Sequence, residues 1–229
     1  MSPRPKVDHL RKPQIVAAAA EVLYERGLLQ TRIGDIAERA GTSSPTILYY
    51  FDSKDRLFEE AVDQTDRDFY KRLRGGLAKH DRARDKLVHL IEETSRGPGG
   101  VSDYTLWMEL WVRARRDRTV RRNYFRLNRR ERNLIADIVR EGQASGEFSL
   151  EADPEEFALG LSALMDGLGV HVTLGQPDVT AERMVARCLA LASSELGCHL
   201  RAVNGDVSKP NTKAASDGDR SLPPSPTQP

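Results

Sequence analysis

Apolar residues recur at intervals of three and four positions along most of the chain, which is the spacing of one face of an α-helix. The stripe through Ile15 and Val22 predicts a first helix over 13–26, and Gly27 ends it. A longer stripe over 57–73 predicts an extended helix. No segment has the strict alternation of a half-buried strand, so the pattern predicts an all-α chain.

Helix-capping residues mark where the later helices begin. Ser53, Asp117 and Asp153 each offer a side-chain oxygen to the free amides of a following helical turn, and the last helix is expected to start near Thr180. Pro154 suits a first helical position, and the Gly-Pro-Gly-Gly run at 97–100 breaks the chain. We expect helices over 54–79, about 82–96, from Ser102 through Trp111, from Asp117 to about Gly142, and over about 153–174 and 180–197.

The segment from Ile33 to Lys54 has the build of a helix-turn-helix. Thr31 is expected to cap its first helix, and Gly41 ends that helix because glycine adopts positive φ at no steric cost. Ser43-Ser44 offers a cap for the second helix, and Pro45 suits its first turn. The second helix of such a motif enters the major groove of DNA, which predicts DNA binding.

This segment resembles the TetR family of bacterial transcriptional regulators, over about residues 14–57. The matching positions are Ile36-Ala37, Ala40-Gly41, Ser43, Thr46, Tyr50-Phe51 and the run Ser53-Lys54-Asp55-Arg56-Leu57. The rest of the chain is similar in helix count and order. The resemblance implies a dimer that presents two recognition helices to a pseudo-palindromic, double-stranded DNA operator, and a small-molecule effector that releases it.

The candidate DNA contacts lie in and beside the second helix of this motif. Thr46 is expected to face base edges, and Lys54 resembles the phosphate clamp of the family. Leu48 stands where the family usually has a phosphate-binding tyrosine, so Tyr49 is expected to substitute for that contact or to read a base edge. Core packing is the alternative for one of the two tyrosines. The candidate set is Arg32, Ser43, Ser44, Pro45, Thr46, Tyr49, Tyr50 and Lys54.

A cluster of aromatic residues on one later helix is the candidate effector site. Tyr104, Trp107 and Trp111 share a face at i, i+3 and i+7, and both tryptophans of the chain are among them. Such a face can form the wall of a pocket for an apolar or cationic molecule. It can also be an ordinary core face, and Asp166 can equally make a surface or interface hydrogen bond. The candidate set is Tyr104, Trp107, Met108, Trp111, Tyr124, Met165 and Asp166.

Small residues on the last predicted helix suggest a subunit interface. Ala186, Ala190 and Ser193 lie between larger apolar residues, and small side chains let helices approach closely. The resemblance implies a homodimer through the last two helices, at about 153–174 and 180–197. Packing within one chain is the alternative.

Composition neither supports nor opposes a nucleic-acid partner, because the formal net charge is +1. Residues 1–14 carry four basic residues against one acidic residue, which fits either a DNA-binding arm or a solubilising tail. The arginines between 113 and 132 form a second basic patch, which we interpret as a solvated helix face. DNA binding is therefore predicted from the motif and not from the charge.

No motif for catalysis, phosphate binding or metal binding is found, so we expect a protein without enzyme activity, cofactor or metal. The two cysteines fit no disulfide framework or metal motif. No run approaches the roughly 20 apolar residues of a membrane span, and the N-terminus lacks a secretory signal. We therefore expect a cytoplasmic protein with no membrane contact.

The sequence thus predicts an N-terminal three-helix helix-turn-helix domain followed by a helical ligand-binding and dimerisation domain. The expected boundaries are 1–53 for the DNA-binding domain, 54–198 for the regulatory domain with 54–79 as its linking helix, and 199–229 for a disordered tail. The expected function is that of a ligand-responsive transcriptional repressor. The alternatives are an effector-independent DNA-binding protein and a small-molecule-binding helical protein without DNA function.

Overall fold

The computed structural model describes residues 8–96 and 104–202, and within those ranges the chain forms nine helices and no strand. The predicted all-α class is therefore confirmed. The basic arm up to residue 7, the break at 97–100 and the expected cap Ser102 lie outside the described residues. The helices are α1 (Asp8–Gln30), α2 (Ile33–Arg39), α3 (Ser44–Tyr50), α4 (Lys54–Leu77), α5 (Ala83–Arg96), α6 (Thr105–Ala114), α7 (Arg118–Ala144), α8 (Pro154–Thr173) and α9 (Ala181–Glu195).

Most of the predicted caps are present. The side chains of Ser53, Asp117 and Asp153 accept hydrogen bonds from amides in the first turns of their helices, and Thr180, at the expected start of the last helix, does the same for α9. The expected cap Thr31 is wrong, because Arg32 occupies the cap position of α2. The Thr31 hydroxyl is buried and donates to the Gly27 carbonyl over 2.6 Å, so it satisfies the end of α1 instead.

The helix-turn-helix is held by a small apolar core under α1, α2 and α3. Ile15, Ile36 and Ile47 are fully buried there, one from each of these helices. The same core takes Leu110 from α6 and Leu127 from α7. The helices of the helix-turn-helix therefore pack directly on helices from the C-terminal part of the chain.

Helix α4 belongs to both halves of the molecule. Its first half buries Leu57 and Phe58 in the N-terminal core, and its second half buries Leu73 and Leu77 in a second core shared with α5, α7, α8 and α9. The expected domain boundary at residue 53 therefore does not separate two independently packed units, because the helix that follows it packs in both cores. A rigid helix that spans two cores can transmit a displacement of one core to the other.

The packed chain continues slightly past α9. Leu200 is buried in the second core, and its amide donates to the Ser193 hydroxyl over 3.1 Å. The packed chain therefore extends past residue 199, where the sequence predicts the tail to begin, because an apolar side chain there is still buried in the core. The rest of the expected tail, from residue 203, lies outside the described residues. None of the described helices is long and apolar enough to cross a membrane.

Candidate DNA-binding and effector sites

The recognition helix α3 has one buried face and one open face. Ile47 is fully buried, whereas Tyr49 is 79% exposed and Leu48 is 54% exposed. Pro45 is also exposed. The open face therefore presents side chains that can reach base edges in a groove.

Hydrogen bonds fix the start of α3. The Ser43 hydroxyl accepts a hydrogen bond from the Thr46 amide over 3.3 Å. The hydroxyl oxygens of Ser43 and Thr46 lie 2.8 Å apart. Ser44 and Thr46 are half-buried at the first turn, and the Tyr50 ring packs edge-on against Tyr49 with 5.3 Å between centroids. Tyr50 also packs against the N-terminal core, which is the core role expected for one of the two tyrosines.

Two basic side chains of the predicted DNA set have no carboxylate within ion-pair distance among the described residues. Lys54 begins α4 with its ammonium 4.9 Å from the Phe58 ring centroid, and Arg32 is exposed at the start of α2. By contrast, Arg39 and Arg56 are paired with glutamates. Lys54 and Arg32 are therefore the cations of this set that remain available for phosphates.

A cavity of about 120 Å³ lies where the two cores meet. Six helices contribute to its wall, namely α1, α4, α5, α6, α7 and α8. The lining is rich in aromatic and acidic side chains: Tyr24, Val62, Thr65, Asp66, Phe69, Tyr70, Thr94, Tyr104, Leu106, Trp107, Trp111, Tyr124, Leu127, Asn128, Glu131 and Asp166.

Five members of the predicted effector set line this cavity: Tyr104, Trp107, Trp111, Tyr124 and Asp166. Two do not. Met165 is 1% exposed within the second core, and Met108 lies about 100° around α6 from Trp107, away from the cavity lining. We leave both out of the proposed effector contacts.

Tyr104 is positioned by contacts with α8. Its amide donates to the Thr173 hydroxyl over 2.8 Å. A β-carbon at Gly169 would lie 2.2 Å from the Tyr104 ring, so only glycine lets α8 approach the ring this closely. The Trp111 and Tyr124 rings meet edge to face, with 6.4 Å between their centroids. The aromatic wall is therefore preorganised by its own packing.

Sequence reasoning missed several lining residues. Tyr24 lies on α1 of the DNA-binding part, and Asp66 and Phe69 lie on α4. Glu131 is hidden in the arginine-rich stretch of α7. An acidic residue on the apolar face of a helix is the one signal that could have identified Asp66 and Glu131.

The carboxylates of the cavity are held in different ways. Glu131 accepts a hydrogen bond from the Ser162 hydroxyl over 3.1 Å, and burial together with the nearby Asp166 charge raises its pKa to about 7. Burial raises the pKa of Asp166 to about 6. Burial also raises the pKa of Asp66, although Arg130 opposes this shift from 2.7 Å.

The electrostatic character of the cavity follows from these groups. The Arg130 guanidinium is engaged by Asp66 and stacks over the Tyr70 ring at 4.3 Å. Glu131 and Asp166 form no ion pair among the described residues, and each lines the cavity. Two carboxyl groups among electron-rich rings favour an organic cation as the ligand, because the carboxylates attract its charge and the ring faces attract it through cation–π contacts.

Helix α6 connects the cavity wall to the DNA-binding part. Trp107 and Trp111 face the cavity, whereas the Glu109 carboxylate accepts a hydrogen bond from the Leu28 amide at the end of α1. Arg113 pairs with Asp55 in the first turn of α4 over 2.9 Å. A change in the position of α6 would therefore act on α1 and α4 together.

Helices α8 and α9 expose small and apolar residues in this chain. The exposed residues on α8 include Leu159, Gly160, Ala163 and Gly167, and those on α9 include Ala186 and Ala190. A surface of this composition favours close helix contact over solvation.

An exposed recognition helix, together with a cavity whose wall includes the α1 and α4 helices on which that recognition helix packs, defines a one-component DNA-binding regulator. Two family models match the chain, one described as bacterial regulatory proteins of the tetR family over residues 15–61, and one as the C-terminal part of BetI-type transcriptional repressors over residues 83–197. The chain belongs to the TetR family and is a DNA-binding transcriptional repressor of the BetI-like type. The predicted family and function class are confirmed.

Relatives agree with this assignment over most of the chain. The HTH-type transcriptional regulator BetI of Rhizobium meliloti is 27% identical over 217 residues, which cover 92% of this chain and 99% of that protein. BetI of Paraburkholderia phytofirmans is 30% identical and covers 84% of this chain and all of the relative. A putative transcriptional regulator from Saccharomonospora viridis, solved in complex with choline, is 31% identical with a TM-score of 0.73, covering 81% of this chain and 96% of its own.

Proposed function

We propose that this protein represses transcription as a dimer and is released from its operator by a small quaternary ammonium compound of the choline type. The observation that carries this proposal is the cavity, which is lined by aromatic rings and by the carboxylates of Glu131 and Asp166. The relative solved with choline supports the same ligand class.

The size of the cavity fits such a ligand. An apolar cavity of about 150 Å³ accommodates benzene, so a cavity of about 120 Å³ suits a ligand of similar heavy-atom count. Choline has seven heavy atoms, one of which carries a permanent charge. Its trimethylammonium group would be attracted by the Trp107 and Trp111 faces, with roughly 0.5–2 kcal/mol from each favourable cation–π contact.

Two alternatives are less well supported. An effector-independent DNA-binding protein would have a solid core around Trp107 and Trp111, where this chain has a cavity. A ligand-binding protein without DNA function would not need the exposed face of α3 that carries Tyr49. We also propose that the protein acts without catalysis and in the cytoplasm, where operator DNA lies.

Dimerisation through α8 and α9 would cover the exposed small residues of these helices. Ala163 and Gly167 on α8 and Ala186 and Ala190 on α9 permit close approach of a second copy. A four-helix interface would hold two α3 helices at a fixed separation. Binding to successive major grooves requires a spacing of roughly 34–36 Å or a multiple of it.

Release follows if the ligand binds more tightly to a conformation with the wrong spacing. The cavity wall includes Tyr24 from α1 and Thr65 and Phe69 from α4, so the ligand would touch the helices that carry the DNA-binding part. The contacts of Glu109 and Arg113 tie α6 to the same two helices. Ligand-induced repacking of the cavity would therefore tilt α1 and α4 relative to α8 and α9.

The test is a pair of titrations on the full chain. Choline binding is measured by calorimetry, with 3,3-dimethylbutan-1-ol as the uncharged analogue of the same shape. Fluorescence anisotropy then follows a duplex from the DNA beside the protein's own gene, with and without each compound. We expect choline to bind and to release the duplex, and the neutral analogue to do neither. Tight duplex binding that choline leaves unchanged would overturn the effector assignment while the repressor class stands.

A further inference from the structure

We infer that the turn between α6 and α7, with the first turns of α7, forms a second DNA-contacting surface that binds phosphates without reading sequence. We call this surface the α7 arginine cluster. It consists of Arg115, Arg116, Arg118 and Arg122, all of which are exposed. Helix α3 would read the bases, while this cluster would add affinity for the DNA backbone.

The charges of the cluster are uncompensated in the described part of the chain. None of its four guanidinium groups lies within 4 Å of a carboxylate there, whereas Arg113, Arg126 and Arg130 nearby each pair with an aspartate of α4. Asp117, the one acidic residue of the turn, accepts hydrogen bonds from the Thr119 and Val120 amides and so caps α7. The cluster therefore has a net positive charge, because four guanidinium groups stand against the single carboxylate of Asp117.

The position of the cluster links it to the DNA-binding end of the molecule. The 2.9 Å ion pair between Arg113 and Asp55 fixes the end of α6 against the first turn of α4, one residue after Lys54. Arg115 and Arg116 follow Arg113 by two and three residues, which limits their backbone to about 11 Å from it. These side chains therefore lie on the same end of the molecule as Lys54.

Helix α7 then runs beside α4 in the same direction. Arg126 pairs with Asp63, and Arg130 pairs with Asp66, so positions along the two helices advance together. Arg118 and Arg122 accordingly lie near the Lys54 end, whereas Arg129 lies further away. We limit the proposed surface to the first turns of α7 for this reason.

Double-stranded DNA is the occupant that best fits these observations. The cluster adjoins the side on which α3 and Lys54 face the operator, and it offers four guanidinium groups for a polyanion. An anionic membrane or an acidic protein would match the charge and could use Phe125, which is 57% exposed, but neither would explain why the cluster adjoins the DNA-binding end.

The test compares charge-removing variants on the full chain. The variant R115Q/R116Q/R118Q removes three charges from the cluster. The matched control K71Q/R72Q/R74Q removes three charges from exposed positions at the far end of α4, about 26–30 Å along the helix from Lys54. A third variant, R115K/R116K/R118K, keeps the charge without the guanidinium groups. Thermal unfolding checks that all three are folded.

Fluorescence anisotropy across a salt series measures the result on the duplex from beside the protein's own gene and on a random duplex of the same length. We expect the glutamine variant to lose affinity on both duplexes, by about tenfold or more at 0.1 M salt. Each lost phosphate contact lowers the salt slope of log K by about 0.9, so three per protomer lower it by up to about 5 in a dimer. The lysine variant should retain most of the slope.

The inference is overturned if the glutamine variant has the same slope and affinity as the α4 control. It is also overturned if the DNA slope is unchanged while binding to vesicles of phosphatidylcholine with phosphatidylglycerol is lost, because the surface would then serve a membrane. Lys54→Ala is the control for DNA binding by the helix-turn-helix, because Lys54 lies outside the cluster. Its loss should weaken duplex binding whether or not the cluster contacts DNA.

Discussion

The Arg113 guanidinium lies 2.9 Å from the Asp55 carboxylate and joins the end of α6 to the beginning of α4. The Asp55 side chain is 65% exposed, so the pair contributes only about 0.2–1 kcal/mol to stability. Its importance lies in what it connects. Arg113 lies less than two turns of α6 after Trp107 in the cavity wall, and Asp55 directly follows Lys54.

Breaking this ion pair should uncouple the effector from DNA. In Arg113→Gln we expect choline to bind with nearly unchanged affinity but to weaken duplex binding several-fold less than in the native protein, because α6 no longer pulls on α4. The measurement is the ratio of duplex affinities with and without choline, and thermal unfolding should change little. Arg140→Gln, which removes two remote exposed pairs with Asp137 and Glu155, is the control. An unchanged ratio in Arg113→Gln would show that coupling follows another route.

Replacing Trp111 should weaken effector binding without affecting the operator complex. In Trp111→Leu the indole face is lost, and we expect choline affinity to fall about tenfold, since a cation–π contact of about 1.4 kcal/mol corresponds to that factor. Calorimetry measures the affinity, and duplex binding without choline should stay unchanged. Val112→Ala alters an exposed neighbour on the same helix and should have no effect on either. Full choline affinity in Trp111→Leu would contradict the proposed site.

Effector binding should weaken as the pH falls from 8 to 5. Glu131, with a pKa of about 7, and Asp166, with a pKa of about 6, take up protons in this window and lose the charges that attract a cation. Asp66 lies on the same cavity, but its carboxylate is held by Arg130. A bound cation lowers both raised pKa values, so binding should release protons near pH 6 to 7, where the free carboxyl groups are still partly protonated, and few at pH 8, where both are already ionised.

The pH series is measured by calorimetry in two buffers of different ionisation enthalpy, which reveals the released protons. Asp166→Asn should bind choline more weakly at pH 8 than the native protein, and its affinity should change less between pH 8 and pH 5. A native affinity that is the same at pH 8 and pH 5 would show that these carboxyl groups do not contact the ligand.

Two substitutions in the DNA-binding part should have different effects. Lys54→Ala should weaken binding to all duplexes and reduce the salt dependence, because it removes a phosphate contact in each protomer. Thr46→Ala should change base preference instead, since its hydroxyl and methyl groups can read base edges. Anisotropy on the native and base-substituted duplexes distinguishes the two effects. If Lys54→Ala left the affinity untouched, the placement of the motif on DNA would be wrong.

A charge in the proposed dimer interface should produce a monomer. Ala163 is exposed in this chain, so Ala163→Glu should leave the fold intact while it places two like charges in the four-helix interface. We expect sedimentation to show a loss of dimer and operator affinity to drop sharply, because two recognition helices no longer act together. Glu151→Gln, at an exposed position outside α8 and α9, is the control. A dimeric Ala163→Glu protein would place the interface elsewhere.

The periodicity of apolar residues and the capping side chains determined the number and order of the helices in the described ranges. Ser53, Asp117 and Asp153 could be identified from sequence because a cap acts on amides two or three residues away. The sequence pattern predicted Thr31 as a cap of the following helix. Its hydroxyl instead donates to the Gly27 carbonyl of the preceding turn, and only the packed structure reveals this contact. The recognition helix was also predictable, because its turn, cap and burial pattern lie within a few residues.

The cavity was decided by tertiary structure. The aromatic face of Tyr104, Trp107 and Trp111 is visible in the sequence, but a core face and a pocket wall have the same periodicity. Whether that face meets a filled or an open space depends on side chains from α1, α4, α7 and α8 that are distant in sequence. Tertiary structure also decided the role of Glu131. In the sequence it is one acidic residue in an arginine-rich helix, and only folding brings it beside Asp166. Sequence determines which groups a helix offers, and the packing of several helices decides which of those groups share a site.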